Sequence, residues 1–300
     1  MVSDTGAAVT GPDMLTDSAP VSERRMSLNV LRLDRRARGE LDGLSPVAPV
    51  SVLLCHAALA ATLHLSEASM TSQWIDIPAL DGDSFKGYLA VPPSGHGPGI
   101  LLIQEIFGVN EHIQSVADQY AADGYLVLAP DLFWRSEPGI QLGYGGDDWE
   151  RAFALKQELD VDLAIDDLRR SAELLRERDD CNGRVASVGY CMGGLLSFLS
   201  AANASVDAAV CYYPGSVEKR LDQAQRISCP TLFHFAEEDA HIDSDAVAAV
   251  EETMAQVGQA QIETYPGVDH GFNCWARPAY NQYAAALAHG HTLVFLANNL

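Results

Sequence analysis

Cys191 stands in "GYCMGG", between the β-rich run "RVASVGY" and the apolar run "GGLLSFLSAAN". This is the G-x-S-x-G spacing of a nucleophile on a sharp strand-to-helix turn, with cysteine in the serine's place. Gly189 and Gly193 let strand and helix approach closely while the thiol projects above them. The start of the next helix offers free N–H groups and a dipole, both of which favour a thiolate over a thiol. Taken by itself, a free cysteine is equally a small buried apolar residue. The downstream sequence supplies what a nucleophile needs, an acid followed by a histidine. Asp239 follows the run "TLFHFAEE" and His270 follows "QIETYPG", so both fall in loops after strands. His270 would then be the base that ionises Cys191, with Asp239 fixing its tautomer. Asp269 is too near His270 along the chain to be the preferred orienter, and Glu237, Glu238 and Asp243 read as solvated. A metal reading would recruit His234, His241, Asp239 and His270, but no compact ligand spacing supports it, so no metal is expected.

Positioning these residues requires a sheet whose strand ends gather them at one edge. Alternation of strand and turn residues begins at "TSQWIDIPALDGDSFKGYLAVPP", directly after Met70. "FKGYLAV", "GILLIQE", "YLVLAPD", "RVASVGY", "VDAAVCYYP", "PTLFHFAEED" and "QIETYPG" read as strands. "HIQSVADQYAADG", two segments within 148–178, "GGLLSFLSAAN", "DSDAVAAVEETMAQVG" and "AYNQYAAALAHGHTLVFLANN" carry helical periodicity. The alternation predicts an α/β protein with a mostly parallel central sheet and helices on both faces, as one domain over residues 70–300.

Residues 1–69 read differently. They hold six arginines, no lysine and eight acidic residues, without sustained periodicity, and are expected to be a disordered or non-native extension. The apolar run starting at Val47 is interrupted by two histidines and lies too deep for an ordinary secretory signal. Over the whole chain, 300 residues with 48% hydrophobic and 20% charged content are ample for a large core. A net charge of −22 repels phosphate backbones and anionic membranes, so neither nucleic acid nor membrane is an expected partner. Six cysteines without CxxC pairs suggest neither a zinc ribbon nor a disulfide framework, which fits a reducing cytoplasm.

"GYCMGG", "LIQEIFGVN", "APDLFWR", "YYPGSVEKRL", "LFHFAEEDAHI" and "DHGF", in this order over about residues 72–298, together resemble the dienelactone hydrolase family of α/β-hydrolases, whose nucleophile is cysteine. The resemblance implies that Glu105 of "QEIFG" contacts the resting thiol and is displaced on substrate binding, so that Cys191 ionises against His270. Physically, a carboxylate beside the thiol opposes its ionisation until it moves or takes the proton. Without the resemblance, Glu105 reads as a group that caps or hydrogen-bonds near a strand end. The loop after "LIQE" is also where this fold places one oxyanion donor, which assigns the backbone N–H groups of Ile106 and Met192 to the oxyanion.

The family's dienelactone enzymes hold the substrate carboxylate with two arginines. Arg135 of "PDLFWR" matches the first; Cys274 occupies the second position, and Gly271 stands where those enzymes have serine. A guanidinium fork holds a carboxylate by two parallel hydrogen bonds, a role cysteine cannot fill, and Arg277 lies three residues further on. Phe107, Trp134 and Trp275 are candidate pocket walls, against the plainer reading of aromatic core. The expectation is a cytoplasmic hydrolase of a small-molecule ester or lactone, anionic or neutral, that needs no metal or organic cofactor. The alternative is a non-catalytic thiol sensor or carboxylate-binding protein on the same fold.

Overall fold

A computed structural model describes residues 70–203 and 205–300. The expectations for residues 1–69 lie outside the described residues. Eight strands form one sheet: β1 Thr71–Pro78, β2 Ser84–Val91, β3 Gly97–Ile103, β4 Leu126–Pro130, β5 Cys181–Tyr190, β6 Ala208–Tyr212, β7 Thr231–Ala236 and β8 Ala260–Tyr265. Their order is β1-β2-β4-β3-β5-β6-β7-β8, with β2 antiparallel to both its neighbours and all other pairs parallel. The helices are α1 Glu111–Ala122, α2 Asp147–Glu158, α3 Val161–Arg176, α4 Met192–Ala202, α5 Ser244–Val257 and α6 Gln282–Asn299. A 3-10 helix, Val217–Arg226, joins β6 to β7; the sequence reading assigned no helix there.

The interior strands β4, β6 and β7 are buried at every residue, as a parallel sheet covered on both faces requires. Edge strand β1 is mostly exposed and pairs only with β2. Helix starts carry side-chain caps: Asn110 accepts from the Ile113 N–H at α1, and Asp160 from Asp162 and Leu163 at α3. The last helix is tied to the sheet by polar contacts. Thr292 Oγ1 hydrogen-bonds with Tyr212 Oη at 2.7 Å and with His234 Nε2 at 2.9 Å, while His234 Nδ1 meets Tyr265 Oη at 2.8 Å.

The strand order places β3 and β5 side by side although β4 lies on the far side of β3. The chain therefore leaves β3 in one direction and β5 in the other, which opens a crevice at their carboxyl ends. The loops after β3 and β5 carry Glu105 and Cys191 into that crevice. Among the described residues, no helix is long and apolar enough to cross a membrane.

Candidate active site

Cys191 is the residue between β5 and α4, and its backbone is φ 57°, ψ −114°. A left-handed φ at a non-glycine residue costs on the order of 1–3 kcal/mol and persists only where the surroundings enforce it. Here they do. The Cys191 N–H donates to the Tyr212 carbonyl at 3.0 Å, and the Cys191 carbonyl accepts from Gly194 at 3.0 Å. A Cβ on Gly189 would collide with the Gly193 carbonyl, and one on Gly193 with the carbonyls of Ile103 and Gln104. Glycine is thus required at both positions by close backbone approach. The turn leaves Cys191 half-buried, lining a cleft of about 180 Å³ together with Ile106, Phe107, His270 and Arg277. Met192 is the first residue of α4, where an N–H has no intrahelical acceptor.

His270 lines the same cleft, and its Nδ1 lies 2.9 Å from Asp239 Oδ2 and 3.1 Å from Oδ1. Asp239 is itself fixed, since Oδ1 accepts from the N–H groups of His241 at 2.8 Å and Ile242 at 3.0 Å. Asp269 does not compete, because its Oδ1 is taken by the N–H groups of Ala240 and His270. His270 Nε2 is buried without a hydrogen-bond partner. The Cys191 sulfur is near enough to act on the ring by charge without meeting hydrogen-bond geometry in this state. Burial opposes protonation of His270, but a thiolate charge on Cys191 and the Asp239 carboxylate outweigh it, and the imidazole is pushed up to about 10.

Glu105 is almost fully buried, and its Oε1 accepts from Arg277 Nη1 at 3.1 Å while Oε2 has no partner. Its carboxylate therefore hydrogen-bonds the arginine and not the Cys191 thiol, in contrast to the contact that the resemblance implies. The reason is the guanidinium, which offers a buried carboxylate a charged donor that a thiol cannot match. Arg277 thus reaches the cleft from three residues beyond Cys274. Gly271 makes this possible: its φ is +81°, and a Cβ there would collide with the Arg277 guanidinium. The glycine and the cysteine that depart from the family's pattern fit an arginine arriving from a different position.

Three expected substrate contacts lie elsewhere. Arg135 does not line the cleft; its guanidinium spans Asp81 at 2.6 Å and Asp167 at 2.8 Å. Trp134 stacks on Phe85 with ring centroids 5.3 Å apart and donates to Asp167 at 2.9 Å. The buried Asp167 carboxylate draws both residues away from the crevice. Trp275 packs against His112 at 4.3 Å and lines a second cleft with Asn110 and Tyr144. Of the proposed aromatic walls, only Phe107 faces Cys191's cleft. Arg135→Ala should therefore lower stability by about 1–3 kcal/mol, the cost of leaving a buried group short of its partner. It should leave KM for an anionic substrate unchanged; urea unfolding and steady-state kinetics measure the two.

The sequence reading missed Trp149, Phe153 and Lys156, which line the cleft from α2. Their spacing of i, i+4 and i+7 puts them on one helix face. That signal was present, but periodicity does not say which cavity a face will meet.

This order of eight strands, with Cys191 on the turn after β5, Asp239 after β7 and His270 after β8, is that of the α/β-hydrolase fold. The pattern of the Dienelactone hydrolase family matches residues 85–300. Carboxymethylenebutenolidase 1 of Cupriavidus pinatubonensis is 32% identical over 229 residues, covering 76% of this chain and 97% of that relative. The carboxymethylenebutenolidase of Pseudomonas putida is 33% identical over 229 residues, covering 76% of this chain and 97% of its own length. A solved structure from Klebsiella pneumoniae, provisionally described as a dienelactone hydrolase, superposes with TM-score 0.67 and 28% identity, covering 76% of this chain and 99% of that one. The chain belongs to the dienelactone hydrolase family.

Proposed function

We propose that this chain hydrolyses an ester or lactone by covalent catalysis at Cys191. The observation that carries the reading is the strained thiol-bearing turn sharing a cleft with a histidine whose Nδ1 is held by a carboxylate. In this account the Cys191 thiolate attacks the substrate carbonyl carbon. The N–H groups of Ile106 and Met192 hold the oxyanion. Collapse expels the alkoxide, which takes a proton from His270, and leaves a thioester on Cys191. His270 then accepts a proton from water as it attacks the thioester, and the acid departs as the thiolate returns. Asp239 keeps Nδ1 protonated, so that Nε2 is the nitrogen that exchanges protons. Glu105 acts as a second carboxylate near the thiol, restrained by Arg277.

An anionic substrate is supported by Lys156, which lines the cleft without an ion-pair partner among the described residues in a chain whose net charge is −22; Arg277 also lines the cleft but is paired with Glu105. Lys156→Ala should raise KM for an anionic lactone about tenfold, or roughly 1.4 kcal/mol, with a smaller effect on neutral p-nitrophenyl acetate. Equal effects on both substrates would remove the lysine from anion recognition. A reducing, cytoplasmic setting fits the free thiols among the described residues. Hydrolysis assays across dienelactones, aryl esters and thioesters test the proposal. Steady turnover of a lactone or ester is expected; binding without turnover of any would favour a thiol sensor or carboxylate-binding protein.

A further inference from the structure

Beside the cleft, Glu105 belongs to a buried cluster whose other two members, His112 and Cys274, have no part in this chemistry. Glu105 in the loop after β3, His112 in the first turn of α1 and Cys274 in the loop after His270 are all buried. They come from three distant stretches of sequence, which is why no ligand motif announced them. Their donor atoms lie within 4.8 Å of one another, and among the described residues they form the one such trio of potential ligands. Two of its polar atoms, Glu105 Oε2 and His112 Nδ1, are buried with no hydrogen-bond partner. Buried polar groups are nearly always satisfied, and two unsatisfied ones beside a thiol point to a missing partner.

We propose that Glu105, His112 and Cys274 form a three-ligand binding site for a divalent cation of the zinc class. A thiolate, an imidazole and a carboxylate are the donor set of a borderline-soft cation, whereas magnesium and calcium take oxygen alone. Zinc takes three such ligands and leaves a fourth position for water. Bonds of about 2.0–2.3 Å require donors roughly 3.3–3.8 Å apart, so a pair at the 4.8 Å limit would have to close by about 1 Å. On binding, the Cys274 thiol proton leaves to solvent and the thiolate and carboxylate balance the cation's charge. Arg277 stays on Glu105 Oε1 and orients the carboxylate, leaving Oε2 as the ligand; its own charge weakens the site without filling it. The second cleft, lined by His112, Tyr144 and Trp275, supplies the route in. The site differs from the four residues the sequence brought forward: His234 is held by Tyr265 and Thr292, and His270 by Asp239.

Zinc and cobalt(II) titrations of the full chain, freed of metal by chelator, test the site. Because Cys191 and His270 could themselves capture zinc, the parent for the titration is Cys191→Ala. It should bind about one cation per chain, and the cobalt form should show a thiolate-to-metal charge-transfer band. Adding Cys274→Ser should abolish that band. Adding either Cys274→Ser or His112→Gln should weaken zinc binding by more than the roughly 10–100-fold that loss of an outer-sphere partner costs. Circular dichroism and thermal melting establish that each variant is folded; Cys274→Ala replaces an unfolded Cys274→Ser, and His112→Ala an unfolded His112→Gln. Loss of binding in Cys191→Ala alone, absence of binding in that parent, or unchanged affinity in folded Cys274 and His112 variants would each overturn the proposal.

Discussion

Cys191→Ala is expected to lower kcat/KM for a lactone or aryl ester by about 10⁶-fold, the scale seen when a nucleophile is removed from a triad that works as a unit. Little of that loss should come from misfolding. The turn at Cys191 is held by the backbone bond to Tyr212 and by the packing of Gly189 and Gly193, none of which uses the thiol. Alanine also tolerates the left-handed φ no worse than cysteine does. The same variant should change the proton affinity of His270. Burial disfavours the charged ring, and what lifts it to about 10 is first the Cys191 charge and then the Asp239 contact. Without the thiolate, the ring should titrate at lower pH in an NMR titration. Because the folded value of His270 is raised above the ordinary 6.5, protonation of this ring stabilises the fold fully below about pH 6.5, and that contribution is lost as pH rises through about 10. Thermal melting should therefore fall more steeply across that window in the native chain than in Cys191→Ala. An unmoved His270 titration would mean that the thiolate is not what holds the proton.

Asp239→Asn is the second large effect, about 10⁴-fold in kcat with the fold intact. The asparagine Oδ1 can go on accepting from the His241 and Ile242 N–H groups, so the loop should hold. Its Nδ2 then faces His270 Nδ1 and donates to it, which forces the proton onto Nε2. A ring protonated there cannot take a proton from Cys191 or from water. Steady-state kinetics beside a melting curve separate this from simple loss of structure. A near-normal rate would shift the orienting role to another acid, although Asp269 is occupied by backbone N–H groups.

What was legible in the sequence follows from how local each signal is. The interior strands β4 and β6 announce themselves as continuous apolar runs, and β7 as one interrupted by Thr231 and His234, because both of their faces are covered. Cys191, Asp239 and His270 could be grouped from the sequence because Cys191 directly follows β5 and the other two lie in the loops after β7 and β8, which a parallel sheet collects at one edge. The crossing of β3 and β4 that opens the crevice is a non-local choice with no short-range mark. Arg135 was misplaced for the same reason. Its motif fits a cleft contact, but the buried Asp167 that captures it lies on α3, over thirty positions away. Gly271 and Cys274 looked like lost function in one dimension. In three, the glycine opens the space through which Arg277 reaches Glu105.

The central claim is that Cys191 carries the acyl group of the substrate through a covalent thioester. Rapid acid quench of the chain during turnover of p-nitrophenyl acetate, followed by intact-mass and peptide mass spectrometry, reads this directly. The account predicts an acetyl increment that appears within the first turnover, maps to the peptide containing Cys191 and is absent from Cys191→Ala. An acyl group on another residue, or undiminished turnover by Cys191→Ala with no adduct on the native chain, would contradict it.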